Sequence, residues 1–210
     1  MSGRVLSLMR AALAVSLVAV AGKVMSGATL MESSTPFKRP ALPETRQTEQ
    51  TQQTLQSEPH LKQLRSRALT VPVQGVVAAQ LTDTYTQARA AGAVHEALDI
   101  MAERGTPVLA VEDGEVVKLF TSKPGGITLY QFDPGKQYAY YYAHMDRYAE
   151  GVREGAKLRQ GQVIGYVGST GNALPDAAHL HFAIFLLGPE RQWWRGTPLN
   201  PFRVWRDIKN

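Results

Sequence analysis

From residue 68 onward, short apolar runs alternate with turn residues. The runs recur roughly every ten residues and are separated by segments such as Asp133-Pro134-Gly135. Few stretches show a 3.6-residue periodicity, so the pattern indicates β-strands that pair antiparallel. We expect a mostly β, antiparallel domain over residues 68–210, with a candidate helix at 82–91. The predicted strands are residues 71–77, 108–110, 116–120, 127–132, 138–143, 163–167 and 179–187.

The first 22 residues have the pattern of an export signal. Arg4 and Arg10 precede an uncharged, largely apolar run at residues 11–22, which ends in Ala19-Val20-Ala21. This run of 12 residues is shorter than the ~20 that span a bilayer as a helix. The pattern favours a cleaved signal peptide, and the alternative is a membrane anchor formed by residues 1–25.

Residues 23–67 have the composition of a low-complexity tether. Between Pro43 and Ser57, the only bulky apolar residue is Leu55, among Thr, Gln and Glu. Such a segment buries too little apolar area to offset the entropy lost on ordering, so we expect it to be disordered, with a short helix around Leu61–Leu64 as the alternative. His60 lies in this segment without a partner at ligand spacing and is expected to be solvated.

Composition narrows the possible chemistry. The chain has 210 residues, of which 44% are hydrophobic and 20% charged, enough for one folded domain with appendages. It contains no cysteine, which excludes disulfides, thiolate metal sites and a Cys nucleophile. The net charge of +5 suggests acidic surroundings, but it includes both arginines of the signal, so we expect no nucleic-acid partner.

Two histidines open the last long apolar run. In His179-Leu180-His181, the two imidazoles lie on one face of a strand, because side chains alternate between faces. At this spacing, both can approach one metal ion, or one can bind it while the other reaches a ligand of that ion. The alternative is a pair of polar residues on a solvated sheet face.

A second pair is His95 and Asp99, in the segment His95-Glu96-Ala97-Leu98-Asp99. On a regular strand their side chains lie about 13 Å apart, too far to share one ion. Either the segment is a helix, with Glu96 as the base of a zincin-like motif, or the chain bends sharply between them. Gly105-Thr106-Pro107 follows closely and disfavours the helix.

These pieces together match the needs of a catalytic zinc ion. Such an ion takes three protein ligands and keeps one position open. His95, Asp99 and one histidine of the His-x-His pair provide that set. The other histidine of the pair and His144, which ends the run Tyr140-Tyr141-Tyr142-Ala143, are then free to move protons or to stabilise an oxyanion.

The same residues resemble the signatures of the lysostaphin-type (LytM-like) zinc metallopeptidases, which cut peptidoglycan peptides. Those signatures are His-x-x-x-Asp, a later Tyr-Ala-His and a terminal His-x-His, and they occur here in that order. The intervening text is also similar, including Gly105-Thr106-Pro107-Val108 and Gly168-Ser169-Thr170-Gly171-Asn172. The resemblance covers roughly residues 71–202 and does not extend to the tether.

The resemblance implies a role for each of these side chains. His95, Asp99 and His181 are the implied ligands of a Zn²⁺ ion, with His144 and His179 as the catalytic residues beside it. It also implies a groove over the metal. One departure is Ala97, where the family usually has glycine; alanine there implies a negative φ or some strain.

The implied function is zinc-dependent endopeptidase activity on stem or crosslink peptides of peptidoglycan, in the periplasm or cell envelope. The alternative is a catalytically silent, peptidoglycan-binding regulator that activates another wall hydrolase, because some relatives have lost ligands. Residues 112–116 also resemble lipoyl carrier domains, but Lys136 is a poor match for the carrier lysine. Trp193-Trp194-Arg195-Gly196 is consistent with a sugar-stacking surface and, more simply, with packing over a sheet edge.

Overall fold

A computed structural model of the chain describes residues 44–89 and 92–206. The predicted signal or anchor at residues 1–22, and the tether at residues 23–43, lie outside the described residues. Of the helices described, none combines the length and the apolarity needed to cross a bilayer.

An antiparallel β-sheet forms the body of the described region, as the pattern of apolar runs predicted. Along its main path the strands are ordered β1-β8-β5-β4-β3-β6; β7 also pairs with β5, β2 with β7, and β9 with β8. The strands are β1 (Leu98–Met101), β2 (Pro107–Leu109), β3 (Gly114–Ser122), β4 (Gly126–Phe132), β5 (Tyr138–Tyr148), β6 (Lys157–Leu158), β7 (Val163–Val167), β8 (His179–Leu187) and β9 (Gly196–Leu199).

Side-chain alternation gives the central strands one buried and one accessible face. In β8, Leu180, Phe182 and Ile184 are fully buried in the core, whereas His179 and His181 lie on the opposite face and are partly exposed. In β5, Tyr138, Tyr140 and Tyr142 are fully buried on the core side. The sheet therefore has a dry face and an accessible face, and the histidines of β8 lie on the accessible one.

The segment before residue 68 differs from the predicted tether. Helix α1 (Glu44–Ser66) ends against the domain, where Leu61 and Leu64 are fully buried in the same core as α2 (Phe202–Trp205). His60, expected to be solvated, has its Nδ1 atom 3.0 Å from the hydroxyl oxygen of Tyr138. Although the segment as a whole is polar, two leucines spaced three residues apart lie on one helix face and supply enough apolar area for it to pack.

Two predicted elements are absent from the described residues. At residues 71–77 the chain makes only an isolated bridge, between Val73 and Val108, because Pro72 lacks an N–H and Gly75 turns the chain with φ +80°. At residues 82–89 the chain forms turns instead of the candidate helix. There, the N–H of Tyr85 donates to Oδ1 of Asp83, a local bond that competes with helix formation.

Candidate functional site

The register of the sheet brings Asp99 and His181 side by side. Asp99 of β1 lies opposite His181 of β8, and Ala143 of β5 lies opposite His181 on its other side. His95 lies before β1 in non-helical backbone, so the zincin-like helix is wrong. The chain bends at Glu96, which has φ +55°, whereas Ala97 keeps a negative φ. The bend therefore falls one residue earlier than the family's usual glycine.

Three ligand atoms converge at this point. Nε2 of His95 lies 3.0 Å from Oδ1 of Asp99 and 3.0 Å from Nδ1 of His181. Nδ1 of His181 lies 3.1 Å from the same carboxylate oxygen. These three residues form the group of described side chains that could hold a metal ion. The structure thus brings together the three predicted ligands, which are separated by up to 86 residues in the sequence.

The hydrogen bond that His95 makes with the backbone leaves its other ring nitrogen with a lone pair that faces Asp99 and His181. Nδ1 of His95 lies 3.0 Å from the carbonyl oxygen of Thr84, which can only accept, so this nitrogen carries the imidazole proton. In the neutral form of the ring, Nε2 of His95 then has a lone pair and no proton to share with Asp99 or His181. Three atoms with lone pairs, two imidazole nitrogens and one carboxylate oxygen, therefore lie 3.0–3.1 Å apart. A cation bound by all three stabilises this arrangement better than one shared proton does.

The spacing of these atoms suits zinc. Zinc bound at about 2.0–2.2 Å in a tetrahedral site has ligand atoms ~3.3–3.6 Å apart, so the observed 3.0–3.1 Å requires only a small outward shift of the side chains. Two nitrogens and one carboxylate oxygen form a donor set that zinc accepts. The side chain of His95 is 2% exposed, whereas those of Asp99 and His181 are 18% and 19% exposed. The set is therefore closed on one side and open toward solvent on the other.

Thr84 and Arg89 hold the ligands in place. Besides accepting from His95, Thr84 accepts a hydrogen bond from the backbone N–H of Asp99 at its hydroxyl, 2.9 Å away. Arg89 binds Oδ2 of Asp99 at 3.0 Å, on the side away from the histidines. Thr84 was missed at the sequence level, because it lies 11 residues before His95 in no motif and its role depends on tertiary contacts.

His144 reaches the site through an unusual backbone conformation. Regular alternation along β5 would place it on the core face with Tyr142, but φ +59° turns its side chain to the accessible face. Its ring centroid lies 4.8 Å from that of His179 and 5.6 Å from that of His181. A left-handed conformation is tolerated better by His than by most residues, yet it costs about 1 kcal/mol and is typical of functional sites.

A glycine-rich loop orients His144. Nδ1 of His144 lies 2.7 Å from the carbonyl oxygen of Thr170, in the motif Gly168-Ser169-Thr170-Gly171. The Thr170 hydroxyl accepts from the N–H of Ile127 and donates to the carbonyl of Met145. Gly171 has φ +78°, and a Cβ atom there would lie 2.4 Å from the backbone nitrogen of Gly126. Only glycine allows this close approach, which fixes the carbonyl that faces His144.

His144 and His179 present the same nitrogen to the cleft. Nδ1 of His179 lies 2.8 Å from the carbonyl oxygen of Ala177, so each of the two histidines has its Nδ1 proton engaged by a backbone carbonyl. Nε2 of each therefore carries the lone pair. Nε2 of His179 lies 3.8 Å from Oδ1 of Asp99. Both imidazoles thus lie beside the three ligand atoms, ready to accept a proton.

Burial sets the protonation states of this cluster. Burial lowers the pKa of His144 to about 4, although its bond to the Thr170 carbonyl acts in the opposite direction. Burial also lowers the pKa of His181, against the attraction of Asp99. For Asp99, burial raises the pKa, but the neighbouring imidazoles of His181 and His95 outweigh it and hold the pKa well below its usual range. At neutral pH the Asp99 carboxylate therefore lies beside a neutral His181, and both are good metal ligands in these forms.

These side chains line a cleft of about 620 Å³. Its floor is the accessible face of the sheet, and its walls come from several loops. Two exposed apolar side chains, Met101 and Leu174, lie at its edge with exposures of 61% and 67%. The further lining residues include Arg89, Pro124 and Tyr141. A cleft this open suits an extended polymer segment better than an enclosed small molecule.

Comparison with known proteins places this cleft in a family. The chain is 33% identical over 129 residues to an L-Ala–D-Glu endopeptidase of Bacillus subtilis, covering 58% of this chain and 39% of that protein. It is 36% identical over 94 residues to lysostaphin of Staphylococcus simulans, covering 43% of this chain and 18% of that protein. It is also 34% identical over 112 residues to a lipoprotein NlpD/LppB homologue of Pseudomonas aeruginosa, covering 53% and 33%. The chain thus spans well under half the length of each of these relatives.

Solved structures show the same fold. The catalytic domain of lysostaphin from Staphylococcus simulans superposes with a TM-score of 0.52 at 25% identity, covering 62% of this chain and 96% of that one. A zinc-containing peptidase from Vibrio cholerae gives a TM-score of 0.51 at 25% identity, covering 63% and 39%. The family model for peptidase family M23 matches residues 93–201, which include all five histidine and aspartate side chains of the cleft. Since this match spans more than half of the sequence, the chain belongs to peptidase family M23.

Proposed function

We propose that this chain is a zinc-dependent endopeptidase that hydrolyses amide bonds in the stem or crosslink peptides of peptidoglycan. One observation carries the proposal: the ligand atoms of His95, Asp99 and His181 meet at 3.0–3.1 Å, beside two imidazoles that offer Nε2 lone pairs. The relatives named for endopeptidase activity support the reaction class.

The ligands of the proposed zinc ion are His95, Asp99 and His181. When bound, zinc supplies Lewis-acid polarisation of the scissile carbonyl and lowers the pKa of a water molecule. Arg89 holds the outer oxygen of Asp99 at 3.0 Å, so that the other oxygen stays directed at the two histidines. The hydroxyl of Thr84 fixes the backbone of Asp99, and its carbonyl fixes the tautomer of the His95 ring.

The two remaining histidines divide the proton chemistry. One accepts the proton of the attacking water at Nε2 and passes it to the leaving amine. The other takes a proton from solvent at Nε2, donates a hydrogen bond from it to the oxyanion, and returns it to solvent after turnover. Both rings are held by backbone carbonyls, from Thr170 for His144 and from Ala177 for His179. The rings therefore need not rotate during the reaction, which keeps the cost of reorganisation low.

Export belongs to the same proposal. Peptidoglycan lies outside the cytoplasm, and residues 1–22 have the pattern of a signal peptide. We propose that the chain acts in the periplasm or cell envelope. Expression of the full chain in the native cell, followed by fractionation and N-terminal sequencing, would show whether residues 1–22 are removed or retained as an inner-membrane anchor.

Digestion of purified peptidoglycan by the full chain, with mass spectrometry of the fragments, tests the activity. We expect new amino termini within the peptides, and their position identifies the bond. His144→Ala should abolish hydrolysis while about one zinc per chain is retained. Glu96→Gln, at an exposed residue next to a ligand, is the matched control and should keep most of the activity.

A second candidate function is a peptidoglycan-binding regulator without hydrolysis. The similarity to the NlpD/LppB homologue brings it into consideration, and the complete set of five side chains favours the enzyme. Pull-down with purified peptidoglycan by a chain that releases no fragments, even when loaded with zinc, would support the regulator and overturn the endopeptidase.

A further inference from the structure

A line of aromatic rings runs across the accessible face of the sheet, starting at the candidate metal centre. The ring of Tyr141 lies 5.9 Å from that of His181, and Tyr130 lies 4.6 Å from Tyr141. Trp193 lies 4.9 Å from Tyr130. Each ring contacts the next, so the line is continuous with the cleft. We call this line, with Phe120 and Trp194 at its far end, the aromatic track.

The inner half of the aromatic track is built into the sheet. Tyr130 of β4 and Tyr141 of β5 are register partners, and Tyr141 is in turn opposite Ala183 of β8. All three lie on the face opposite the buried tyrosines of β5. Ala183 is itself buried, whereas Tyr130 and Tyr141 are partly exposed, so an occupant of this face would contact the two tyrosine rings.

The outer half comes from the loop between β8 and β9, together with Phe120 of β3. Trp193 contacts both Phe120, at 6.1 Å, and Trp194, at 5.2 Å. Trp194 is 62% exposed and Phe120 is 44% exposed. Packing over the sheet edge accounts for Trp193, but it does not account for a second tryptophan that is left mostly in water. Exposed aromatic side chains that adjoin one another, as Trp194 and Phe120 adjoin Trp193, are typical of surfaces that contact a partner.

Polar groups accompany the rings at this end. A second cleft, of about 200 Å³, is lined by Tyr130, Trp193, Trp194 and Arg195, with Phe185 and Gly196. The side chain of Arg195 is exposed and makes no hydrogen bond or ion pair within residues 44–89 and 92–206. The cleft therefore combines flat aromatic faces with an available hydrogen-bond donor, the combination that suits a sugar ring bearing polar substituents.

We infer that the aromatic track binds the glycan strand of peptidoglycan, a polymer of N-acetylated amino sugars. The C–H faces of pyranose rings pack on the electron-rich faces of aromatic rings. The Arg195 guanidinium donates to acetamido or carboxylate oxygens. The inference rests on the proposed function, because the stem peptide entering the cleft is attached to that glycan. A narrow line of rings that starts at the metal centre fits a polymer better than a second copy of the chain, which needs about 800 Å² on each partner.

Binding of tetra-N-acetylchitotetraose and of peptide-free glycan strands to the full chain tests this inference. Tryptophan fluorescence and titration calorimetry should both detect saccharide binding. Trp194→Ala should weaken it by roughly 3- to 10-fold, in line with the loss of one aromatic contact. Leu55→Ala, which removes another exposed apolar side chain (69% exposed), is the matched control and should bind normally.

The measurements separate the glycan site from the peptidase. We expect Trp194→Ala to slow digestion of intact peptidoglycan while it cleaves a soluble stem peptide that lacks sugars at the normal rate. If the wild-type chain digests peptidoglycan but binds neither saccharide, the aromatic track does not bind glycan and the proposed function stands. If it binds saccharide but releases no new amino termini, the proposed function fails and the glycan site stands. If it binds neither saccharide and Trp194→Ala instead abolishes self-association or vesicle binding, the inference is overturned.

Discussion

Thr84 offers the sharpest test of how the ligands are held in place. Its hydroxyl accepts from the backbone N–H of Asp99 at 2.9 Å and donates to the carbonyl of Ala97 at 3.2 Å, in a buried position. Thr84→Val preserves the shape but leaves both backbone groups without this partner. The carbonyl of Thr84, which faces His95, remains. The variant therefore loosens the bend between the two ligands without deleting either ligand.

The magnitude follows from the two lost bonds. A hydrogen bond contributes about 0.5–1.5 kcal/mol net, so we expect the two lost bonds to lower the free energy of unfolding by about 2 kcal/mol. For a domain of this size, that corresponds to a fall in Tm of roughly 4–8 °C. Zinc affinity should fall by about 10- to 100-fold, as is usual when groups behind metal ligands are removed.

Thermal unfolding of the chelator-treated chain and a competitive zinc titration measure the two effects separately. Thr84→Ser keeps the hydroxyl and should restore most of the zinc affinity. Thr86→Val makes the same chemical change at an exposed position and should behave as wild type. Unchanged zinc affinity in Thr84→Val would refute the view that this hydroxyl positions Asp99 and His95.

Three further predictions concern the ion pair, the pH dependence and helix α1. Arg89→Met removes an ion pair whose arginine is 46% exposed, so the free energy of unfolding should change by less than about 1 kcal/mol in denaturant titrations, and a larger change would show that the pair is structural. Because the pKa of His144 falls from 6.5 to about 4 on folding, the unfolded chain binds more protons between these values, and the metal-free chain should lose stability as the pH falls through this range. His144→Gln should flatten that loss, which we place on the order of 1–2 kcal/mol; an unchanged pH profile would contradict the assignment. Leu61→Ala, at a fully buried position of α1, should cost about 2–4 kcal/mol in denaturant titrations, and a wild-type midpoint would show that α1 does not belong to the core.

Much of the fold followed from local pattern. Runs of apolar residues bounded by glycine, proline and aspartate predicted β3, β4, β5, β7 and β8, because strand formation there agrees with both propensity and burial. The short strands β1, β6 and β9 were not predicted, since two to four residues carry too little pattern to be distinguished from loops. Of helix α1, the sequence suggested only a short piece around Leu61–Leu64 as an alternative to disorder, because only these two leucines bury against the domain and a polar segment surrounds them.

The five side chains of the candidate site were all named from the sequence: their spacing indicated a metal site, and the family resemblance implied which of them are ligands. Tertiary structure decided how they meet. Asp99 and His181 are adjacent only through the pairing of β1 with β8, and His144 faces them only because a positive φ reverses its side of β5. Residue order determines which groups are available and which strands can form. Strand register and backbone torsion decide how the three ligand atoms converge, how Thr84 bonds to the ligands and how the aromatic track reaches Trp194. Both are set by contacts between residues far apart in the chain.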